Sequence, residues 1–222
     1  MNKELEKYQE ILDIFLNNSY QVYFVGGCVR DSLLERKIID VDIVTDATPW
    51  QTKELFFSFP MDLYALKYGC VILKGDLSCQ ITTLRVESNY NELRQPETIR
   101  FVKDLKMDAK RRDFTINSLY MDKKGEMTDF FQGKEDLDNR LIRIIGNCEK
   151  KIQEDPLRII RALRFADLLD FELDFELEEE IKKSIDLIKK LKNNVIVSEL
   201  SKYKKKGKYY QKYLKKQIIT GD

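Results

Sequence analysis

Histidine is absent from the 222 residues. Its absence excludes Ser-His and Cys-His catalysis and every metal site that needs an imidazole. Acid–base or metal chemistry must then rest on carboxylates, whose hard oxygens suit Mg²⁺. Cysteine is scarce: Cys28, Cys70, Cys79 and Cys148 share no metal-ligand spacing, which reads as reduced thiols in a cytoplasmic protein. Four prolines and nine glycines are too few for a disordered chain. No apolar run approaches a membrane span, and Met1 to Gln9 is charged rather than signal-like, so no membrane partner is expected.

What is present is a 43% apolar composition, enough for a core, in a length that suits one domain plus a small second unit. The net charge of +1 is unevenly placed. Residues 182–222 hold 13 lysines against Asp186, Glu199 and Asp222, a balance of +10 that leaves −9 on the first 181 residues. A basic tail on an acidic body fits nucleic-acid binding, and it fits a solvated, partly disordered tail equally well.

Periodicity predicts a helix over 5–16, a strand over 21–25, a tight turn at Gly26–Gly27 and a short helix over 29–34. A second strand follows at 41–44. Thr48 and Pro49 open a helix to Phe57 as N-cap and first residue. Strands at 71–74 and 78–86 meet at a Gly75–Asp76 hairpin. Residues 87–96 are polar, lack periodicity and read as a mobile loop, and a strand resumes at 98–102. The pattern turns helical from Lys110, a hairpin passes Lys124–Gly125, and after Gly146 the chain reads as wholly helical, with a long helix opening at Asp155–Pro156. No internal repeat is present.

Asp40 and Asp42 flank Val41 on the predicted second strand, where residues two apart share a face. Two carboxylates side by side repel unless a cation lies between them. Two Mg²⁺ ions there could activate an attacking hydroxyl and stabilise departing pyrophosphate. The bland alternative is an exposed strand edge. Gly26–Gly27, between strand and helix, lets backbone N–H groups approach a phosphate, or serves turn geometry alone.

The run YFVGGCVRDSLLERKIIDVDIVTDAT at 23–48 resembles the signature of class II tRNA nucleotidyltransferases (CCA-adding enzymes) and the related bacterial poly(A) polymerases. TTLRVESNYNELRQPETIRF at 82–101 resembles that family's flexible loop region, and RRDFTINS at 111–118 its ribose and phosphate motif. DFFQGKEDL at 129–137 and EDPLRIIRALRFA at 154–166 resemble the next two motifs. Together they span about three quarters of the chain, in family order. The resemblance implies an α+β fold: a polymerase-β-like nucleotidyltransferase head on a small mixed sheet, followed by an all-helical neck. The expected divisions are a head over 1–140, a neck over 141–200 and a Lys/Tyr-rich tail over 201–222.

By the same resemblance, Asp40 and Asp42 are the catalytic metal ligands. Gly26, Gly27, Arg30, Arg111, Arg112, Asp113, Asn117, Asp155, Arg158, Arg161 and Arg164 bind the nucleotide. Arg111 and Arg112, read as lying just ahead of a helix, suit triphosphate oxygens, and Asp113 suits a ribose hydroxyl. Local ion pairs at a helix cap are the alternative. Asp155 and Arg158 are three apart on one helical face. The family uses this Glu-Asp-x-x-Arg motif as a protein template. A carboxylate accepting from an amino group and a guanidinium donating to the adjacent ring nitrogen fit cytosine and adenine, whereas uracil and guanine leave groups unpaired. The alternative is an N-cap with its ion-pair partner. Glu87, Tyr90 and Arg94 hold family-like places in a full-length flexible loop, which in this family accompanies addition of the terminal A.

The implied function is template-independent addition of CCA, at least its terminal A, to the tRNA 3′ end from CTP and ATP. Alternatives are a poly(A) polymerase, an A-adding enzyme with a separate CC-adding partner, and a truncated RNA-binding remnant. Some features depart from the family. Gln80 stands where many relatives carry an acid, Ser118 replaces the commoner Ala, and Gln132 stands where Gly is usual. The chain stops soon after the neck, where relatives continue with further helical domains. In the tail, Lys204, Lys205, Lys206, Lys208, Tyr209 and Tyr210 read as RNA-binding, lysines on phosphates and tyrosines stacking on bases, with Tyr203 and Tyr213 nearby. Covering a hydrophobic face or a homodimer interface is the other use for these tyrosines.

Overall fold

The computed structural model describes residues 2–92 and 95–215, without the side chains of residues 88–92 and 95–97. The chain forms two compact units. Unit 1 comprises residues 1–88, 98–112 and 116–133; unit 2 comprises 89–97, 113–115 and 134–222.

Unit 1 is built on a seven-stranded mixed sheet. Its strands are β1 (Val22–Val25), β2 (Asp42–Thr45), β3 (Met61–Asp62), β4 (Cys70–Leu73), β5 (Cys79–Thr83), β8 (Leu119–Met121) and β9 (Met127–Asp129). Their order is β3-β4-β5-β2-β1-β8-β9. The central strand β2 runs antiparallel to β1, with Val25 opposite Asp42, and parallel to β5, with Asp42 opposite Gln80. Central position accounts for the near-continuous burial of Ile43, Val44 and Thr45. The expected 5–16 helix is two, α1 (Lys3–Glu6) and α2 (Gln9–Asn17). Helix α2 and helix α3 (Gly27–Leu33) pack on β1, and α4 (Pro49–Leu55) packs on β4 and β5. Thr48 and Gln51 close a reciprocal capping box at the start of α4, as the Thr-Pro start suggests.

Three local readings are corrected. The polar stretch expected as a loop is extended, as strands β6 (Arg85–Glu92) and β7 (Gln95–Phe101) of a two-stranded sheet. Cross-strand backbone bonds, which need no apolar periodicity, explain why composition hid it. Strand β2 starts at Asp42, so Asp40 lies on the segment entering it, although the Val41 carbonyl still accepts the Gln80 N–H at 2.9 Å. Finally, Arg111 ends a helix: α5 spans Leu105–Arg111, capped by the Asp104 carboxylate on the N–H groups of Lys106 and Met107, and only a short 3-10 turn, Thr115–Asn117, follows Asp113.

Unit 2 contains α6 (Gly133–Asp138), α7 (Cys148–Glu154), α8 (Leu157–Leu169), α9 (Phe175–Ser184) and α10 (Asn193–Ser201). From Lys134 onward its described residues are helical but for one parallel pair, β10 (Leu141–Ile142) with β11 (Glu172–Leu173), and its segment 89–97 carries parts of β6 and β7. Helix α8 is its axis, burying Leu157, Ile159, Ile160, Leu163 and Phe165. Around it pack α7, α10, both short strands and a π-helical turn at Tyr210–Leu214.

Candidate active site

In unit 1, Gly26 leaves β1 with φ +77°, a left-handed conformation that L side chains rarely adopt, and caps α3. A Cβ at this position would lie 3.6 Å from Asp42 Oδ2. The glycine turn and the carboxylate therefore face one another across β1 and β2, as the sequence motif suggests. Asp42 is half-buried and Asp40 exposed. Behind Asp42, the buried Cys28 thiol contacts the Val25 and Asp42 carbonyls, and burial pushes its pKa up to about 12. This thiol stays protonated at neutral pH.

Two oxygen-donor side chains and no histidine fit a hard divalent cation that takes its other ligands from phosphates and water. Among the described residues no group of three ligand side chains is assembled. Gln80, in register beside Asp42, is neutral and exposed.

Arg30 and Asn117 are brought together. Arg30 is 5% exposed, donates to Asn117 Oδ1 at 2.8 Å and forks onto the Asp31 carboxylate at 2.9 Å. Arg111 and Arg112 converge on Asp108, a fully buried carboxylate of α5, at 2.8 and 3.0 Å. The Tyr120 hydroxyl donates to the same carboxylate at 2.9 Å. Burial by itself raises the pKa of Asp108; the Arg112 and Arg111 guanidiniums outweigh it and hold the group at about 2. Arg111 also reaches Glu87 at 3.4 Å, which Arg85 binds at 2.8 Å, so the start of β6 shares this charge network. Asp108 was not singled out in the sequence, yet its spacing of three and four to Arg111 and Arg112 is the signal that finds it. Of the other loop residues, the Tyr90 side chain and Arg94 lie outside the described residues.

The remaining predicted residues lie in unit 2. Asp113 accepts from Arg161 Nε at 2.7 Å and Nη2 at 2.6 Å, and its other oxygen accepts from the Phe114 N–H at 2.8 Å. Burial opposes its ionisation, but Arg161 keeps its pKa below the ordinary carboxylate value. Arg164 is 2.7 Å from Glu199 of α10, a carboxylate only 3% exposed, and stacks on the Phe165 ring with 4.3 Å to its centroid. Asp155 ends α7 and accepts the Leu157 N–H at 3.0 Å, joining α7 to α8. Arg158 donates to the Lys151 carbonyl at 2.6 Å and sits 3.5 Å from Glu154. Glu199 is a second residue the motifs passed over; it lies in the Val-Ser-Glu-Leu run of α10.

The tail expectations divide. Lys204, Lys205, Lys206 and Lys208 are exposed and Tyr210 is half-buried. Tyr209 offers no stacking face: it is 3% exposed, with its hydroxyl on Glu172 at 2.7 Å. Tyr203 is likewise buried, its hydroxyl on Asp167. Both rings are buried and hydrogen-bonded within unit 2, so neither presents a face to solvent.

Comparison with known proteins agrees with this architecture. The model of the poly(A) polymerase head domain matches residues 22–143. The CCA-adding enzyme of Lactobacillus helveticus is 44% identical over 197 residues, covering 88% of this chain and 49% of that protein. The CCA-adding enzyme of Oceanobacillus iheyensis is 46% identical over 165 residues, covering 73% and 40%. The chain thus spans about half the length of the curated relatives it matches. Among solved structures, the Bacillus stearothermophilus CCA-adding enzyme in complex with CTP superposes with a TM-score of 0.81 at 34% identity, over 90% of this chain and 48% of that one. A tRNA nucleotidyltransferase complexed with a primer tRNA and an incoming ATP analog gives 0.71 at 31% identity, over 86% and 55%. The expected α+β nucleotidyltransferase head fold is therefore the one observed. On its motifs, its sheet and the match across more than half its length, the chain belongs to the poly(A) polymerase head domain family.

Proposed function

We propose that this chain is a template-independent nucleotidyltransferase that builds CCA, at least its terminal A, on the tRNA 3′ end from CTP and ATP. The observation that carries the reading is Gly26 set against Asp42, a phosphate-approach turn facing a carboxylate at the start of a central strand. The 3′ hydroxyl of the RNA attacks the α-phosphorus, an O–P bond forms, and the bond to the β-phosphate oxygen breaks to release pyrophosphate. Asp40 and Asp42 would hold two Mg²⁺ ions, whose chemistry when bound would be to ease loss of the attacking hydroxyl's proton to solvent and to stabilise the negative charge on the departing pyrophosphate. Backbone N–H groups at Gly26–Gly27 receive phosphate oxygens, with Arg30 and Asn117 bracing the turn. Arg111 and Arg112, held by Asp108, face the triphosphate, and Asp113 the ribose. Arg158, on a helix braced through Arg161 and Arg164, and Asp155, at the junction just before that helix, read the amino group and ring nitrogen shared in pattern by cytosine and adenine. Exposed Lys204, Lys205, Lys206 and Lys208 contact RNA phosphates. The CTP and tRNA complexes of the solved relatives support these substrates, and four free thiols suit work in the cytoplasm.

The test is incorporation with Mg²⁺ on transcripts ending in the discriminator base, C or CC, with CTP and ATP supplied separately and together. Addition of CCA followed by arrest is expected. Addition of A only to CC ends identifies an A-adding enzyme with a separate CC-adding partner. A homopolymer of A identifies the second reading, a poly(A) polymerase, which the name of the matching head-domain family favours. No incorporation by folded protein leaves an RNA-binding remnant. Sedimentation of the same sample distinguishes a monomer from a homodimer.

A further inference from the structure

One buried carboxylate in unit 2 holds both ends of the lysine-rich loop. Asp167, on α8 and 4% exposed, accepts from the Tyr203 hydroxyl at 2.9 Å on the entering side of the loop. It also accepts the backbone N–H groups of Tyr209 at 3.0 Å and Tyr210 at 2.8 Å on the leaving side. Those N–H groups open the helical turn at Tyr210–Leu214, where Gln211 N–H bonds back to the Gly207 carbonyl, so Asp167 acts as its cap from a distant helix. Gly207 lies against the same carboxylate: a Cβ there would stand 2.5 Å from Asp167 Oδ1, closer than any side chain tolerates. Between the clamped ends project Lys204, Lys205, Lys206 and Lys208, all exposed. Lys205 approaches Asp170 at 3.9 Å and Lys208 pairs with Glu172. Lys206 lies 5.0 Å from the centre of the Tyr210 ring, and among the described residues no carboxylate pairs with Lys204 or Lys206.

We propose that this clamped loop is a rigid basic finger that grips the phosphate backbone of the RNA being extended, with Lys204 and Lys206 making the principal contacts. The proposal rests on the reading of the chain as an RNA-extending enzyme and adds the element that holds the RNA. Lysine ammoniums are compact point charges that match phosphates without reading bases, as an enzyme acting on many RNAs of one shape requires. Fixing the loop in advance lowers the ordering cost of binding.

The test measures the affinity of the full chain for a CC-ending tRNA transcript between 50 and 200 mM salt, with ATP affinity read separately. Lys204→Gln/Lys206→Gln is expected to weaken RNA binding about tenfold and to lower the log–log salt slope by about 1.5, in line with two lost phosphate contacts. ATP affinity should stay within twofold. Gly207→Ala keeps every lysine yet forces the loop off Asp167, and a several-fold loss of RNA affinity is expected with an unchanged thermal midpoint of the main transition. Wild-type affinity and slope in the double variant overturn the finger; wild-type affinity in Gly207→Ala overturns its rigidity. Tighter capture of poly-glutamate than of RNA overturns the choice of partner. Extension of a short CC-ending oligonucleotide without any binding of intact tRNA also sinks the finger while the catalytic reading stands; failure to extend either RNA, with binding and slope as expected, sinks only the catalytic reading.

Discussion

Asp108 shows how much of a site can depend on a residue that touches no substrate. Its carboxylate is fully buried and neutralised by two arginines proposed to hold phosphates. Removing its charge leaves those arginines repelling each other, so Asp108→Asn is expected to cost about 3 kcal/mol in urea unfolding. The pH dependence has a defined sign. The folded pKa of about 2 lies below the ordinary value of about 3.9, so the ionised group stabilises the fold. That contribution is complete above about pH 4 and is lost as pH falls towards 2. The wild type should lose stability across this window more steeply than Asp108→Asn, as read by acid titration of circular dichroism. At the chemical centre, Asp40→Ala or Asp42→Ala should abolish turnover while leaving nucleotide binding partly intact. Incorporation at wild-type rate in either variant would remove the metal assignment. The sequence displayed Asp40, Asp42, Arg111 and Arg112 through motif spacing. It displayed Asp108 only as one acid among many, because its burial is a product of the tertiary fold.

At the scale of elements, legibility followed the locality of the bonds. The β1 strand, the Gly26 turn, α3 and the Thr48 cap could all be read because short-range patterns dictate them. The β6–β7 pair could not, since polar strands held by cross-strand bonds carry no apolar face to advertise them. The start of α5 was misplaced for a related reason: Asp104 is a good cap, but the few apolar residues after it, Leu105 and Met107, give no helical stripe. Helix α8 was legible as a helix and opaque in its polar face. The sequence paired Asp155 with Arg158, whereas Arg158 also bonds to the Lys151 carbonyl and lies near Glu154 of α7. These contacts hold the guanidinium at the α7–α8 junction, where Asp155 sits. Arg158→Ala is therefore expected to loosen the choice of C and A over U and G, measured as the ratio of kcat/KM values, more than it lowers the rate with the correct nucleotide. Unchanged selectivity would count against a protein template.

At the scale of the whole molecule, the two units are not consecutive along the chain. Residues 113–115 belong to unit 2 although unit 1 occupies the chain on both sides of them. Beside the Arg161–Asp113 pair, further bonds sew them in: Ile145 N–H to the Asp113 carbonyl at 2.8 Å, Thr115 N–H to the Arg143 carbonyl at 3.0 Å, and the Thr115 hydroxyl to the buried Asp136 at 2.6 Å. Phe114 adds an edge-to-face contact with Phe165 at 5.7 Å. Linear motif order suggested a head, a neck and a tail laid end to end, because a sequence read from left to right has no means of displaying an interleaved segment. A fragment of residues 134–222 is accordingly expected to melt at lower temperature than one of residues 113–222, by circular dichroism.

The same interleaving bears on how this protein is made. A ribosome delivers Asp113, Phe114 and Thr115 about twenty residues before the long continuous part of unit 2 begins at Lys134, and more than forty before Arg161 arrives to neutralise Asp113. For that interval a carboxylate and an aromatic ring wait without their partners inside a half-built chain. Premature release, or a gene split at the apparent boundary near residue 140, strands them permanently. The junction that looks most divisible in the sequence is thus a place where the protein resists being cut in two.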